Sequence, residues 1–114
     1  MTHPALRIDE VVHQRTRLAI LVVVNEASHV EFTYLRDTLE LTAGNLSRHL
    51  TVLAEAGLVA LTKTHGDRVA TTVRITRAGR IALAREMQLL EQLAHQVLAK
   101  PIGSVPRGAL PGTA

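Results

Sequence analysis

The spacing of apolar and polar positions predicts two short helices, joined by a polar turn, between residues 31 and 59. Phe32, Leu35 and Leu39 recur at spacings of three and four, which places side chains on one face of a helix. Thr42 is a favourable N-cap for a second helix over residues 42–56. The apolar stripe of that second helix consists of Leu46, Leu50, Leu53 and Gly57.

The opposite face of the second helix is polar and almost uncharged. At about 100° per residue, it carries Gly44, Ser47, Arg48, Thr51 and Glu55, with Asn45 on one flank. Small polar side chains let a helix backbone approach base edges, and an arginine donates two parallel hydrogen bonds to guanine. This pattern indicates a helix that enters a groove of DNA. An amphipathic pair of helices without a partner is the alternative interpretation.

After residue 58 the pattern changes from helical to alternating. Two β-rich runs flank His65-Gly66-Asp67-Arg68, which predicts a two-stranded hairpin over residues 58–76, with Gly66 able to take the positive φ that such a loop tends to need. Its cationic side chains are Lys63, His65, Arg68 and Arg74. Beside a groove-binding helix, such a ribbon acts as a wing that contacts phosphates or the minor groove. Otherwise it is an ordinary hairpin kept soluble by charge.

Two further helical segments flank these elements. Residues 15–27 are apolar on all sides, so we expect a buried central helix, preceded by a single short helix that contains Leu6, Ile8, Val11 and Val12. After Thr76, apolar residues recur in steps of four and three to about residue 100. A helix of this length would extend roughly 35 Å, more than one small domain covers.

We therefore expect the long helix to form a homodimer interface. The predicted interface residues are Ile81, Leu83, Met87, Leu90, Ala94 and Val97. Packing of the whole stripe on the first two helices is the alternative.

Three motifs carry a resemblance to a known family: RTRLAIL at residues 15–21, FTYLRDTLELTAGNLSRHLTVLAEAGLV at 32–59 and TTVRITRAGR at 71–80. In order and spacing they resemble the winged helix-turn-helix transcriptional regulators of bacteria and archaea, in the MarR and ArsR group. The resemblance implies a mainly α fold with a small β-hairpin: a three-helix core, a two-stranded wing and a long C-terminal dimerisation helix. It also implies a homodimeric regulator of double-stranded DNA, most often a repressor.

The resemblance assigns candidate DNA-binding residues as well. The recognition-helix positions that face the major groove are Thr42, Ala43, Gly44, Asn45, Ser47, Arg48 and Thr51. Arg68 occupies the position of the family's wing arginine. From the hairpin pattern, Lys63 and His65 join this candidate interface.

Composition and charge agree with this assignment. The 114 residues suffice for one domain, expected over residues 1–100, and the Pro- and Gly-rich residues 101–114 are expected to form a disordered tail. Residues 48–80 carry six Lys or Arg and two acids, so the positive charge is concentrated on the candidate interface. The absence of cysteine excludes thiolate metal binding and thiol redox sensing.

Other classes of function find little support. The chain has no phosphate loop, GxSxG or HExxH motif, so we expect neither an enzyme nor a cofactor. The apolar run at residues 18–24 is far shorter than the ~20 residues that span a bilayer. We expect no signal peptide, no membrane partner and a cytoplasmic location.

Two alternatives stay open. One is a winged-helix module used for protein–protein contacts. The other is a regulator gated by a small molecule or metal: Glu91 and His95 lie one helical turn apart, and in a dimer the partner's His13 or the partner's Glu86 would supplement them. Two ligands do not make a site, so no metal residues are predicted. We expect His49 to be partly buried in packing.

Overall fold

The computed structural model describes residues 3–67 and 69–100. Its elements are an N-terminal 3-10 turn (Pro4–Arg7), α1 (Glu10–His13), α2 (Arg15–Ala27), β1 (His29–Glu31), α3 (Phe32–Thr38), α4 (Ala43–Glu55), β2 (Val59–Thr64), β3 (Ala70–Ile75) and α5 (Arg77–Leu98). Arg68 and the tail predicted at 101–114 lie outside the described residues. Within those residues, no helix has the length and apolarity needed to cross a bilayer.

The hydrophobic core lies where α2, α3 and α4 meet the sheet and the start of α5. Its most deeply buried side chains are Val12, Ile20, Leu21, Val24, Leu35, Leu46, Leu50, Leu53 and Val73. The three leucines that α4 contributes confirm its predicted inward stripe. The prediction for α2 was too strong, because Val22 is 37% exposed and only one side of that helix is buried.

Both helices of the helix-turn-helix end in the same backbone motif. The amide of Leu41 donates to the carbonyl of Arg36, and that of Leu58 to the carbonyl of Leu53, each at 2.9 Å. Each bond needs a left-handed residue before it, here Glu40 (φ 53°) and Gly57 (φ 77°). Gly57 is thus an exposed helix terminator and not part of the buried stripe. Glu40 accepts a conformation that costs a non-glycine residue about 1 kcal/mol.

The sheet has three strands, in the order β1-β3-β2: the predicted two-stranded wing is formed by β2 and β3, and a third strand that was not predicted, β1, joins it. The strand β1 pairs antiparallel with β3 through His29–Arg74, Val30–Val73 and Glu31–Thr72. Its three residues are too few to give an alternating sequence pattern. Gly66 does not adopt a positive φ, since five residues connect β2 to β3 and the reversal does not depend on a two-residue turn.

The start of α5 is fastened to the end of α4. Thr76 caps α5 by accepting the amide of Gly79 at 3.0 Å, and its hydroxyl donates to the Gly57 carbonyl at 2.7 Å. A Cβ on Gly79 would lie 2.1 Å from the carbonyl oxygen of Leu58, so only glycine permits this approach. The long helix and the helix-turn-helix are therefore joined backbone to backbone.

The N-terminal segment is interrupted where a single short helix was predicted. Ile8 is extended (φ −60°, ψ 122°), and Asp9 begins a new helix by accepting the amide of Val11 at 3.0 Å. The turn before it is held on α5, where the Arg7 guanidinium donates to the Gln92 side-chain carbonyl at 2.9 Å. The break follows from Asp9, because a strong N-cap residue favours the beginning of a new helix over continuation of the preceding turn.

Candidate nucleic-acid interface

The helix α4 presents one continuous polar face to solvent. It begins after Thr42, whose hydroxyl accepts the amide of Asn45 at 3.1 Å. The exposed positions on and before the helix are Thr42, Ala43, Gly44, Ser47, Arg48, Thr51 and Glu55, and Asn45 is half-buried. The structure thus brings all seven predicted recognition-helix residues onto one surface. Glu55, in the last turn, is the only acidic residue of α4.

Two of these side chains are held by neighbours on the same helix. The Arg48 guanidinium donates to the Asn45 side-chain oxygen one turn earlier. The Thr51 hydroxyl donates to the Ser47 carbonyl at 3.0 Å, which leaves its lone pairs free to accept. Because arginine has five donors, Arg48 keeps most of them for an acceptor outside the chain. Sequence spacing placed these residues together but gave no sign that Asn45 holds Arg48.

The wing adds positive charge beyond α4. Lys63 and His65 are exposed on β2 and the connection that follows it. The register pairs Lys63 with Thr71, and the Thr64 hydroxyl donates across the hairpin to the Ala70 carbonyl at 3.2 Å. The predicted partner Arg68 lies outside the described residues. The ribbon holds its cations clear of the core, as contact with phosphates requires.

The inward flank of α4 contains one polar contact that sequence analysis missed. His49 is half-buried, as expected, but its Nδ1 lies 3.4 Å from Nη1 of Arg17 on α2. Burial is the largest cause that lowers the pKa of His49 below its ordinary value of 6.5, followed by the charges of Arg17 and Arg48. His49 therefore favours the neutral form, in which Nδ1 accepts from Arg17.

The predicted dimer face of α5 divides into two parts. Leu83 is only 6% exposed and packs in the core of its own chain, so its assignment to an intermolecular interface is corrected. The first turns of α5 pack against α1 and α2, which explains this burial. Met87 and Ile81 are 40% and 42% exposed, Val97 is 72% exposed, and none of the described residues from 90 to 100 is fully buried.

The suggested metal ligands are arranged differently from the expectation. His13 contacts Glu86 of its own chain: its Nδ1 lies 3.4 Å from Oε2 of Glu86. Both carboxylate oxygens of Glu86 are buried without a hydrogen-bond partner among the described residues. Glu91 and His95 line a separate shallow depression on α5. No group of three or more potential metal ligands occurs in ranges 3–67 and 69–100.

Sequence comparison places this fold in a family. The winged helix DNA-binding domain family matches residues 16–94. A relative, an uncharacterized protein of Methanocaldococcus jannaschii, is 37% identical over 82 residues, covering 71% of this chain and 89% of the relative. The chain therefore belongs to the winged helix DNA-binding domain family.

Solved structures specify the class further. The transcriptional regulator homologue of Pyrococcus horikoshii OT3 superposes with a TM-score of 0.77 at 28% identity, over 82% of this chain and 93% of that one. A mutant of MarR from E. coli, solved with operator DNA, superposes with a TM-score of 0.66 at 24% identity, over 82% of this chain and 64% of that one. Family and fold together define a winged helix DNA-binding domain whose fold is shared with transcriptional regulators.

Proposed function

We propose that this protein is a homodimeric, sequence-specific binder of double-stranded DNA that represses transcription. In this proposal residues 1–100 form one DNA-binding and dimerisation domain. The helix α4 enters the major groove, and the wing contacts the backbone or minor groove. The observation that carries the proposal is the exposed face of α4, polar and carrying a single cation, beside an exposed cationic hairpin.

The side chains of α4 suit base recognition. Ser47 and Thr51 are short, and Gly44 has no side chain, so the helix backbone can lie close to base edges. Arg48 is long enough to reach guanine and donate to O6 and N7, a pair worth about 1–3 kcal/mol of discrimination. Nothing lies within 4 Å of a Cβ built on Gly44, so this face is open to a partner.

The apolar surface of α5 supports the homodimer. Val97 and Leu98 are 72% and 82% exposed at the end of a helix that outruns the core of its own chain. A second copy with the same surface would cover them through a two-fold axis. Two recognition helices would then meet half-sites about 34 Å apart on one face of the duplex.

The test begins with selection of genomic DNA fragments by the purified full-length protein. We expect enrichment of an inverted repeat, the operator, whose half-sites are one helical turn apart. Its affinity should fall by roughly 10³–10⁵ between 50 and 200 mM salt if the dimer neutralises 6–10 phosphates. Failure to retard any selected fragment at low salt would end the proposal. Recovery of a stoichiometric protein partner without DNA binding would instead favour a protein-interaction module.

Two substitutions distinguish base-specific recognition from non-specific electrostatic attraction to DNA phosphates. Arg48→Ala should cost about 1–3 kcal/mol on the operator and relax preference at one base position in each half-site. Lys63→Ala should weaken binding to all duplexes nearly equally and reduce the salt slope by about 1. Equal losses on operator and unrelated DNA for Arg48→Ala would contradict base recognition.

A cavity supports a second candidate, gating of the DNA-binding protein by a small molecule. It measures about 450 Å³ and lies between the N-terminal segment and α5, with Arg7, Asp9, Glu86 and Gln92 among its lining residues. Such a volume suits a small polar ligand. Because α5 is fastened to α4 through Thr76, a ligand here would shift the recognition helices together with the dimer. Operator release by one member of a metabolite set would support this candidate.

A further inference from the structure

The Arg17 guanidinium connects three helices at one point. Its Nε donates to the Val11 carbonyl at 2.7 Å, and its Nη2 donates to the Glu10 carbonyl at 3.2 Å, both on α1. Its Nη1 lies 3.4 Å from Nδ1 of His49 on α4. Arg17 itself lies in the first turn of α2, where its amide donates to the Gln14 side-chain oxygen at 2.9 Å. A single partly buried side chain therefore contacts α1, α2 and α4.

From this geometry we infer that Arg17 is a positioning residue for the recognition helix, holding α4 at a fixed angle to α1 through His49. The inference rests on the proposed DNA-binding function and adds to it a residue that does not touch DNA. A planar guanidinium donates in fixed directions, so its two bonds to α1 dictate where the third donor points. Lysine carries the same charge but cannot reproduce this planar arrangement.

The contact lies directly behind the proposed base reader. His49 follows Arg48 in α4, with Arg48 exposed and His49 turned towards α2. Rotation of α4 about its axis, which moves Arg48 across the groove, would also separate His49 from Arg17. A misplacement on the order of 1 Å is enough to weaken a reacting or recognising contact.

The electrostatic surroundings of His49 agree with this contact. The charged groups that influence it are Arg17, on α2, and Arg48, on its own helix, and both act with burial to lower its pKa. If Arg17 left this position, the cationic form of His49 would become less unfavourable. The pKa of His49, measured by NMR on the free protein, therefore reports the contact independently of DNA.

The test compares Arg17→Gln and Arg17→Lys with the same changes at Arg15, an exposed arginine in the first turn of α2. We expect both Arg17 variants to lose roughly fivefold or more in operator affinity, the low end of coupling between linked sites. Binding to unrelated duplex DNA should stay within about twofold of wild type, because phosphate contacts supply that affinity. Both Arg15 variants should leave the ratio of operator to unrelated binding unchanged.

Two results of the binding measurements on the Arg17 variants would each overturn the inference. One is an Arg17→Lys protein that binds the operator like wild type, which would mean that only charge matters. The other is an equal loss on operator and unrelated DNA, which would make Arg17 a phosphate contact. The pKa of His49 should rise in Arg17→Gln and stay in place in Arg15→Gln; an unchanged value in Arg17→Gln would also overturn it.

A second pair of variants covers the case in which Arg17 variants unfold. In His49→Asn the amide oxygen replaces Nδ1 as acceptor, so we expect near-normal operator affinity. In His49→Leu the acceptor is lost, and the operator-specific loss should match that of the Arg17 variants. Wild-type operator affinity in His49→Leu would overturn the inference. If the wild-type protein binds no operator, the positioning role falls with the proposed function, whereas the His49 titration still decides whether the contact exists.

Discussion

The helices α4 and α5 both bury one apolar side, but their free sides differ in chemistry. The free side of α4 carries small polar residues and one arginine. That of α5 carries Met87, Val97 and Leu98, which are 40%, 72% and 82% exposed. A polar free side with one cation suits a hydrated, anionic partner, whereas an exposed apolar side is stabilised when another apolar surface covers it.

In both helices, packing constrains only one side. The buried side fixes the helix in the core, so the residue types on the other side can vary to suit a binding partner. Because Thr76 joins the end of α4 to the start of α5, whatever covers α5 also sets the position of α4. The surface proposed for base recognition and the surface proposed for self-association are thus connected through the junction at Thr76 and Gly79.

Each of the two helices contains one glycine, Gly44 in α4 and Gly79 in α5. Of the substitutions considered, Gly79→Ala should have the largest effect on stability. The new Cβ would lie 2.1 Å from the Leu58 carbonyl oxygen and 2.9 Å from Cγ1 of Ile75. Backbone cannot move aside as a flexible side chain does, so we expect a loss of about 3 kcal/mol in the free energy of unfolding. Urea unfolding at fixed protein concentration measures it. Wild-type stability would mean that α5 is not pressed against the end of α4.

Charge placed on the free side of α5 should have the next largest effect. Met87→Glu would bury a carboxylate in the proposed dimer interface, at about 2 kcal/mol or roughly a 30-fold rise in the dissociation constant of the dimer. Gln96→Glu is the matched control, since it is exposed and lies about 180° around α5 from Met87. Sedimentation equilibrium compares the two; equal dissociation constants would place the interface elsewhere.

Periodicity predicted α4 and α5 well because both have long apolar stripes and threonine N-caps. The first residues of the two helices, Ala43 and Arg77, follow from Thr42 and Thr76, whose hydroxyls accept amides three residues ahead. Local residue types therefore determined where these helices begin. The same information placed the predicted base-facing residues on one surface, since helical spacing alone decides which side chains share a face.

Features that depend on contacts distant in sequence were not predicted. The strand β1 exists because His29–Glu31 finds β3 more than 40 residues later, as the His29–Arg74 pair illustrates. Leu83 belongs to the apolar stripe, but whether its own chain or a second copy covers it depends on where α1 and α2 lie. The contact between Arg17 and His49 likewise spans 32 residues and leaves no local pattern.

On the open side of α4, Gly44→Ala should stabilise the free protein. Nothing lies within 4 Å of the added Cβ, and alanine favours the helix over glycine by about 0.5–1 kcal/mol. The same methyl would keep the helix further from base edges, so operator affinity should fall while stability rises. Urea unfolding and operator titration on one preparation measure both. Higher stability with unchanged operator affinity would remove position 44 from the DNA interface.

The smallest expected effect concerns the single titratable group on the inward flank of α4. Burial, Arg17 and Arg48 lower the pKa of His49 in the folded protein below 6.5. At a pH between the pKa values of His49 in the folded and unfolded states, the unfolded chain binds more protons than the folded one. Stability supplied by neutral His49 is therefore complete above pH 6.5 and declines as pH falls from 6.5 towards the folded pKa.

Comparison of wild type with His49→Asn isolates this contribution from the other five histidines. Between about pH 7.5 and about pH 5.5 the urea midpoint should fall further in the wild type than in the variant. Only the wild type has a histidine at position 49, and two neighbouring arginines disfavour the protonation of its side chain in the folded state. This difference shows on which side of α4 the histidine lies. If His49 faced solvent, the urea midpoint would depend on pH equally in the wild type and in the variant. An identical decline in the two would mean that His49 does not lie against Arg17, and the inward flank of α4 would then be no more constrained than its free side.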